Sequence, residues 1–154
     1  MSRPLDYLSA SHFRLELLCR FLASHEPMDS ISVQSCILVL KSDLPLNIAD
    51  EEDSLYPLLD TRCSADDNVP LLRARAVEEH QTYKLVATEL AAVRDRHARD
   101  REIALRNLLA KELRNHMTWE QEMTFTLARK SFDEADLAQL SREFARRRSL
   151  PLSY

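Results

Sequence analysis

An imidazole and a carboxylate interrupt an apolar helical stripe in the second half of the chain. His116 and Glu120 stand four residues apart in the segment NHMTWEQEM, so a helix places them on one face. The same face carries apolar residues at helical spacing, namely Leu109, Leu113, Met123 and Leu127. Because burying a carboxylate without a partner is costly, this pair indicates a site where the negative charge is compensated.

Polar residues occupy comparable positions in three other apolar stripes. The first stripe contains His12, the second contains Asn47 and Glu51, and the third contains His80. Imidazoles and carboxylates that meet inside a helical protein are the ligands that a hard or borderline metal cation requires. We therefore predict that a metal ion is bound by residues from four helices: His12, Glu51, His80, His116 and Glu120. The alternative is a metal-free layer in which the histidines bond the carboxylates and fix the helix register.

The absence of glycine is the most informative feature of the composition. The chain has no glycine among 154 residues, where average usage of about 7% would give about eleven. This excludes the glycine-rich phosphate loops of nucleotide-binding α/β folds and disfavours tight β-hairpins. Good helix formers dominate instead, so the sequence predicts an all-α fold.

The apolar stripes predict four long amphipathic helices, at about residues 5–23, 30–61, 69–94 and 100–129. Alternating steps of three and four between apolar residues are typical of packed, nearly antiparallel helices. With short links between them, the helices would form an up-down-up-down four-helix bundle. Prolines at positions 45 and 57 predict a kink or a local break in the second helix.

Polar segments separate these helices at residues 24–30, 62–70 and 94–101. After the fourth helix, a capping box formed by Ser131 and Glu134 predicts an additional C-terminal helix. Its apolar side would pack across the bundle through Phe132, Leu137, Leu140 and Phe144. We expect one domain over residues 1–154, with the bundle at about 5–130 and the C-terminal helix and tail at 131–154.

The bulk properties predict a cytoplasmic protein. No apolar run approaches the about 20 residues that span a bilayer, and the N-terminus lacks the order of a signal peptide. Three widely spaced cysteines suggest reduced thiols rather than a disulfide framework. The net charge of −4 argues against a nucleic-acid partner. The basic run Arg146–Arg148 is interpreted as the end of a helix.

In chain order, the polar positions resemble the motif of the hemerythrin-like, HHE-type cation-binding domains. That family has a His on the first helix, H-x3-E on the second, Glu-His on the third and H-x3-E on the fourth. The matching segments here are SASHFRLELLC, LPLNIADEEDSLYPLL, VEEHQTYKL and NHMTWEQEM. The resemblance covers roughly residues 5 to 130. It implies a four-helix bundle that holds one or two non-haem iron ions between its helices.

Two positions depart from this motif. Residue 47, which would complete H-x3-E with Glu51, is Asn, and in a register one residue later Ile48 could not bind a metal. Lys84 stands where many hemerythrins have a second third-helix His. Lys84 either pairs internally with Glu51 or Glu16 and replaces a missing cation, or extends outward from the helix.

These departures make the expected ligand set unequal. His80, His116 and the two carboxylates would hold one ion, in a sphere that suits ferrous iron. A second, weaker ion would have His12, the amide oxygen of Asn47 and shared carboxylate oxygens, with Glu16 as a supplement.

The resemblance implies a binding protein for dioxygen or nitric oxide, a redox sensor, or a protein for iron handling. Two other functions stay open: a metal-free bundle acting as an interaction or regulatory module, and a mononuclear iron oxygenase or peroxidase. We expect binding rather than catalysis, since no nucleophile–base arrangement follows from the spacing. The C-terminal helix either covers the bundle or forms a homodimer contact. Three aromatic residues near the site in sequence are interpreted as packing residues: Tyr56, Tyr83 and Trp119.

Overall fold

The computed structural model describes residues 4–23, 30–94 and 99–149, and over these ranges the chain is helical, with no β-strand. This confirms the all-α prediction. The α-helices are α1 (Pro4–Leu22), α2 (Ser30–Asp50), α3 (Tyr56–Arg62), α4 (Val69–Arg94), α5 (Arg99–Glu120), α6 (Thr126–Ser131) and α7 (Glu134–Ser149). Residues 24–29 of the first predicted separator and 95–98 of the third lie outside the described residues.

The long helices pack side by side in a helical bundle. Helix α1 contacts α2 and α5, and α4 also contacts α2 and α5, so each of them touches two others. The second separator, at residues 62–70 between α3 and α4, contains a 3₁₀ turn at Ala65–Asp67. Asn68 ends that turn at φ 51°, a left-handed conformation that Asn tolerates better than most residues.

One π-helical turn begins at Glu51 and another begins directly after Glu120. The turn Glu51–Leu55 joins α2 to α3, and the turn Gln121–Phe125 joins α5 to α6. Helix α2 continues through Pro45 without a break. Pro57 lies in the first turn of α3, a position where proline is well tolerated because the backbone N–H there needs no partner within that helix.

The second π turn shifts the inward face of its helix. A π turn contains one more residue than an α turn, so the stripe moves along by one position. Thr124 and Phe125 are fully buried, whereas Met123 is 52% exposed. The prediction that Met123 faces inward with His116 and Glu120 is therefore wrong.

The buried polar residues lie in one layer between two apolar clusters. Along α1, His12 lies between Leu8 of one cluster and Leu15 of the other. The same order recurs on the other three helical segments, where the flanking pairs are Ile48 and Leu55, Ala76 and Tyr83, and Leu113 and Phe125. The four helices thus bring their polar residues to the same depth.

Helix α7 packs against α1, α2 and the first π turn. It begins after a reciprocal cap, in which the N–H of Asp136 donates to Asp133 and the N–H of Asp133 donates to Asp136. The predicted capping box of Ser131 and Glu134 is wrong, because the Ser131 hydroxyl accepts a hydrogen bond from Cys63 instead.

The end of α7 is tied to the residue that precedes the first site carboxylate. Arg147 and Arg148 both donate to the carboxylate of Asp50, which is fully buried. Arg148 also lies over the ring of Tyr7, 4.8 Å from its centroid. The arginines thus compensate a buried charge in addition to ending a helix. In the described part of the chain, no helix combines the length and apolarity needed to cross a membrane.

Candidate metal centre

Three helical segments bring two imidazoles and two carboxylates together in the buried layer. Glu51 is the first residue of the π turn that follows α2, His80 lies on α4, and His116 and Glu120 lie on α5. One ligand atom from each of the four residues lies within 4.8 Å of the others. All four residues are at most 1% exposed. This group could hold a metal ion.

The two imidazoles face each other through the same ring atom. Nε2 of His80 lies 3.1 Å from Nε2 of His116. Oε2 of Glu51 lies 2.9 Å from His80 Nε2 and 3.7 Å from His116 Nε2. Oε2 of Glu120 lies 3.5 Å from His116 Nε2. The inner edge of each ring therefore points at the same small volume as the two carboxylates.

Two further carboxylates hold the outer edges of these rings. Nδ1 of His80 lies 2.6 Å from Oε1 of Glu52, and Nδ1 of His116 lies 2.9 Å from Oε2 of Glu79. An ionised carboxylate can only accept, so each Nδ1 carries a proton and donates it. Carboxylates that bond the outer nitrogen in this way fix the tautomer and orientation of metal-binding histidines.

This tautomer leaves the inner atoms short of a positive partner. With Nδ1 protonated, each neutral ring presents a lone pair at Nε2, and two lone pairs at 3.1 Å require a proton or a cation between them. Buried oxygens of both inner carboxylates, Glu51 Oε2 and Glu120 Oε1, also lack a well-aligned hydrogen-bond donor, although imidazole nitrogens lie close by. The donor set therefore fits a metal ion.

His12 lies on the other side of the two inner carboxylates. Its Nε2 is 3.1 Å from Oε1 of Glu51 and 3.4 Å from Oε1 of Glu120. Each carboxylate thus directs one oxygen toward the paired histidines and the other toward His12. The amide of Gln121 meets His12 Nδ1 at 3.4 Å, and its nitrogen and oxygen can exchange places to suit either ring protonation state.

Protons compensate the charge of the layer when no metal is bound. Burial alone would lower the pKa of His116, but its hydrogen bond to Glu51 and the charge of Glu120 raise it to about 9. Burial would likewise lower the pKa of His12, and its bonds to Glu120 and Glu51 raise it to about 9.

The pKa values of the two inner carboxylates are shifted in opposite directions. Burial opposes ionisation of Glu51, but the three neighbouring imidazoles hold its pKa well below the ordinary value. For Glu120, burial and the charge of Glu51 together raise the pKa. Because the raised pKa values keep His12 and His116 charged near neutral pH, a metal ion must displace protons to bind.

Three aromatic residues lie next to the candidate ligands. The Tyr56 hydroxyl donates to Oε2 of Glu120 at 2.8 Å and lies 3.0 Å from Oγ1 of Thr124. Burial and the charge of Glu120 raise the pKa of Tyr56, so it stays a donor. The ring of Tyr83 lies 5.5 Å from that of His116, and the ring of Trp119 lies 6.1 Å from it. Tyr56 is therefore a partner of a candidate ligand as well as a packing residue.

Several predicted members lie outside the cluster of four. His12 contacts its carboxylates from the opposite side, and Asn47 is 2% exposed with an unpaired Nδ2. Glu16 has a side chain 40% exposed that pairs with Arg20, so its predicted supplementary role at the site is wrong. Lys84 is exposed whereas Glu51 is fully buried, so the internal ion pair does not form and the outward orientation is confirmed.

The outer carboxylates Glu52 and Glu79 were not among the site residues predicted from the sequence, although Glu79 is the Glu of the Glu-His pair in the family motif. Each is adjacent in sequence to a predicted ligand, in the pairs Glu51–Glu52 and Glu79–His80. That adjacency is the signal that could have found them, because the residue beside an inward ligand can reach the ring presented by the neighbouring helix.

Comparison with known proteins identified no relative of this chain. No protein-family model matches the sequence, and no curated protein or solved structure gives a significant match. The geometry of the buried layer is therefore the guide to function.

Proposed function

We propose that this protein binds non-haem iron in the buried layer, as the hemerythrin-like domains do. The observation that carries the proposal is the pairing of His80 and His116. Their Nε2 atoms meet at 3.1 Å beside two buried carboxylates, while other carboxylates bond both Nδ1 atoms. Buried imidazoles oriented by outer carboxylates are typical of metal ligands.

The donor set favours iron over the hard cations. Magnesium and calcium prefer oxygen ligands only, whereas two imidazoles with carboxylates suit ferrous iron and other first-row ions. Glu51, His80, His116 and Glu120 would hold the first ion. His12 and the remaining carboxylate oxygens would hold a second, weaker ion. Bound iron would supply an open coordination position for dioxygen or nitric oxide.

The protein's own groups would set the properties of that position. Glu52 and Glu79 would keep the two imidazoles in the ligating tautomer, and Tyr56 would orient Glu120. The apolar clusters on both sides would exclude water from the layer. The proposed architecture is an up-down-up-down four-helix bundle with α7 packed on its outside, and the proposed roles are gas or redox sensing or iron handling.

Elemental analysis combined with optical spectroscopy tests this proposal. Protein purified aerobically without chelator should contain iron near one equivalent per chain and show a near-ultraviolet band. His116→Ala should remove both the iron and the band, whereas Glu122→Gln, at an exposed position on the same helical segment, should keep both. Wild-type protein with less than about a tenth of an equivalent of any transition metal would contradict the proposal.

One observation favours a second function, that of a metal-free interaction or regulatory module. The raised pKa values of His12 and His116, both about 9, allow protons alone to compensate the buried carboxylates. Full stability of the metal-free chain, with no gain in melting temperature on adding Fe²⁺ or Co²⁺, would support this function.

A further inference from the structure

A surface cavity lies between α2 and α4, and none of its lining residues is a candidate metal ligand. The cavity has a volume of about 260 Å³. Its inner wall consists of the aliphatic side chains of Ile37, Leu40, Leu44 and Ile48. Each of these side chains is at most 8% exposed, so the wall belongs to the packed core. The cavity therefore offers an apolar surface that is held in place from behind.

Two ammonium groups flank this cavity, Lys41 on α2 and Lys84 on α4. Both lysines are exposed, and neither forms an ion pair with any residue in the described part of the chain. Two unpaired cations beside an apolar cavity are complementary to a molecule with a hydrocarbon body and an anionic head. The chain as a whole is negative, with a net charge of −4, whereas the rim of this cavity is positive.

We propose that this cavity binds a medium-chain fatty acid, with the alkyl chain against the aliphatic wall and the carboxylate between Lys41 and Lys84. The volume of about 260 Å³ is below the range of about 300–1,000 Å³ typical of drug-sized ligands, which favours a short alkyl chain. The cavity lacks the carboxylates and imidazoles that bind a divalent metal ion, because two lysines, Thr88 and apolar side chains line it. The site is thus chemically separate from the buried layer.

A homologous series of carboxylates tests the alkyl part of the proposal. Hexanoate, heptanoate and octanoate are titrated into the full chain and followed by amide chemical shifts. Each added methylene should tighten binding about fourfold, since burying one is worth about 0.8 kcal/mol. The gain should stop when the chain fills the cavity. Ala87→Leu fills the space and should abolish binding, whereas the same change at exposed Ala74 should not.

Lysine variants test the recognition of the head group. Lys41→Met and Lys84→Met should each weaken octanoate binding about threefold, as expected for exposed ion pairs, and the double variant about tenfold. Lys111→Met, an exposed lysine on α5, is the matched control and should bind like wild type. Octanol lacks the carboxylate, so its affinity should be the same for wild type and for all of the lysine variants.

Three results would overturn the proposal. The first is octanoate affinity that neither Ala87→Leu nor the double lysine variant changes. The second is equal affinity for all chain lengths, which would indicate adsorption at the surface. The third is a dimer in sedimentation experiments that Ala87→Leu dissociates, which would assign the cavity to a second copy of the chain. Metal content measured in parallel separates this test from that of the buried layer.

Discussion

Glu79 provides the sharpest test of how the buried layer is organised. Its carboxylate accepts the Nδ1 proton of His116 at 2.9 Å, and the side chain is only 25% exposed. Glu79→Gln keeps a hydrogen-bond acceptor in place but removes the charge. A bond to a charged group is worth about 1.5–3 kcal/mol, against about 0.5–1.5 kcal/mol for a neutral one. The expected loss of metal affinity is therefore about 1–1.5 kcal/mol, or about tenfold.

Glu79→Ala removes the acceptor as well, so Nδ1 of His116 loses its partner and the ring its orientation. Loss of such an outer carboxylate lowers metal affinity by about 10- to 100-fold, so we expect the alanine variant near the upper limit. Both variants should fold, because Glu79 lies at the rim of the layer and not among the apolar clusters.

Trp119 supplies the assay for these variants. It is the one tryptophan in the sequence, and its ring lies 6.1 Å from that of His116. Co²⁺, a probe for ferrous iron, should quench its fluorescence on binding. Glu78→Gln removes the same charge at the neighbouring exposed position and should bind Co²⁺ within about twofold of wild type. Equal losses in the Glu78 and Glu79 variants, or none in either, would refute the oriented-imidazole reasoning.

Three further predictions concern protonation and packing. Since the pKa of His116 is raised to about 9, the affinity for Co²⁺ should fall about tenfold per pH unit as the pH drops from 8 to 6. A series of titrations that gives the same Co²⁺ affinity at every pH in this range would contradict the proton displacement. Asp50→Asn should cost about 2 kcal/mol in urea unfolding, because its charged hydrogen bonds with α7 are lost, and exposed Asp53→Asn should cost nothing measurable. Phe125→Ala should cost about 3–5 kcal/mol in the same assay, whereas Met123→Ala should be nearly neutral; the reverse order would show that the π turn is misplaced.

The long helices could be predicted from sequence because their burial pattern has a clear period. The third helix, predicted at residues 69–94, is α4 at Val69–Arg94, and the first, predicted at 5–23, is α1 at Pro4–Leu22. Apolar residues spaced by three and four report a buried face directly. The same regularity showed where that face is interrupted, at His12, His80 and His116.

Details that depend on neighbouring elements could not be predicted in this way. A π turn has no strong local signal, so the spacing that is correct up to Glu120 fails at Met123. The start of α7 could be capped by either of two short polar pairs, and docking of Arg62 onto Asp136 supports the pair that includes Asp136. Glu52 and Glu79 are part-exposed, so a search for polar residues on buried faces passes over them.

The proposed function requires a metal ion in the space between the two imidazole Nε2 atoms and the inner carboxylates. An anomalous difference map from crystals of the iron-loaded protein, collected at the iron edge, tests this most directly. We expect a strong peak within bonding distance, about 2.0–2.3 Å, of Nε2 on both His80 and His116, with oxygens of Glu51 and Glu120 as the other ligands. A map without a peak in this layer, or with its main peak among surface carboxylates, would contradict the proposed function.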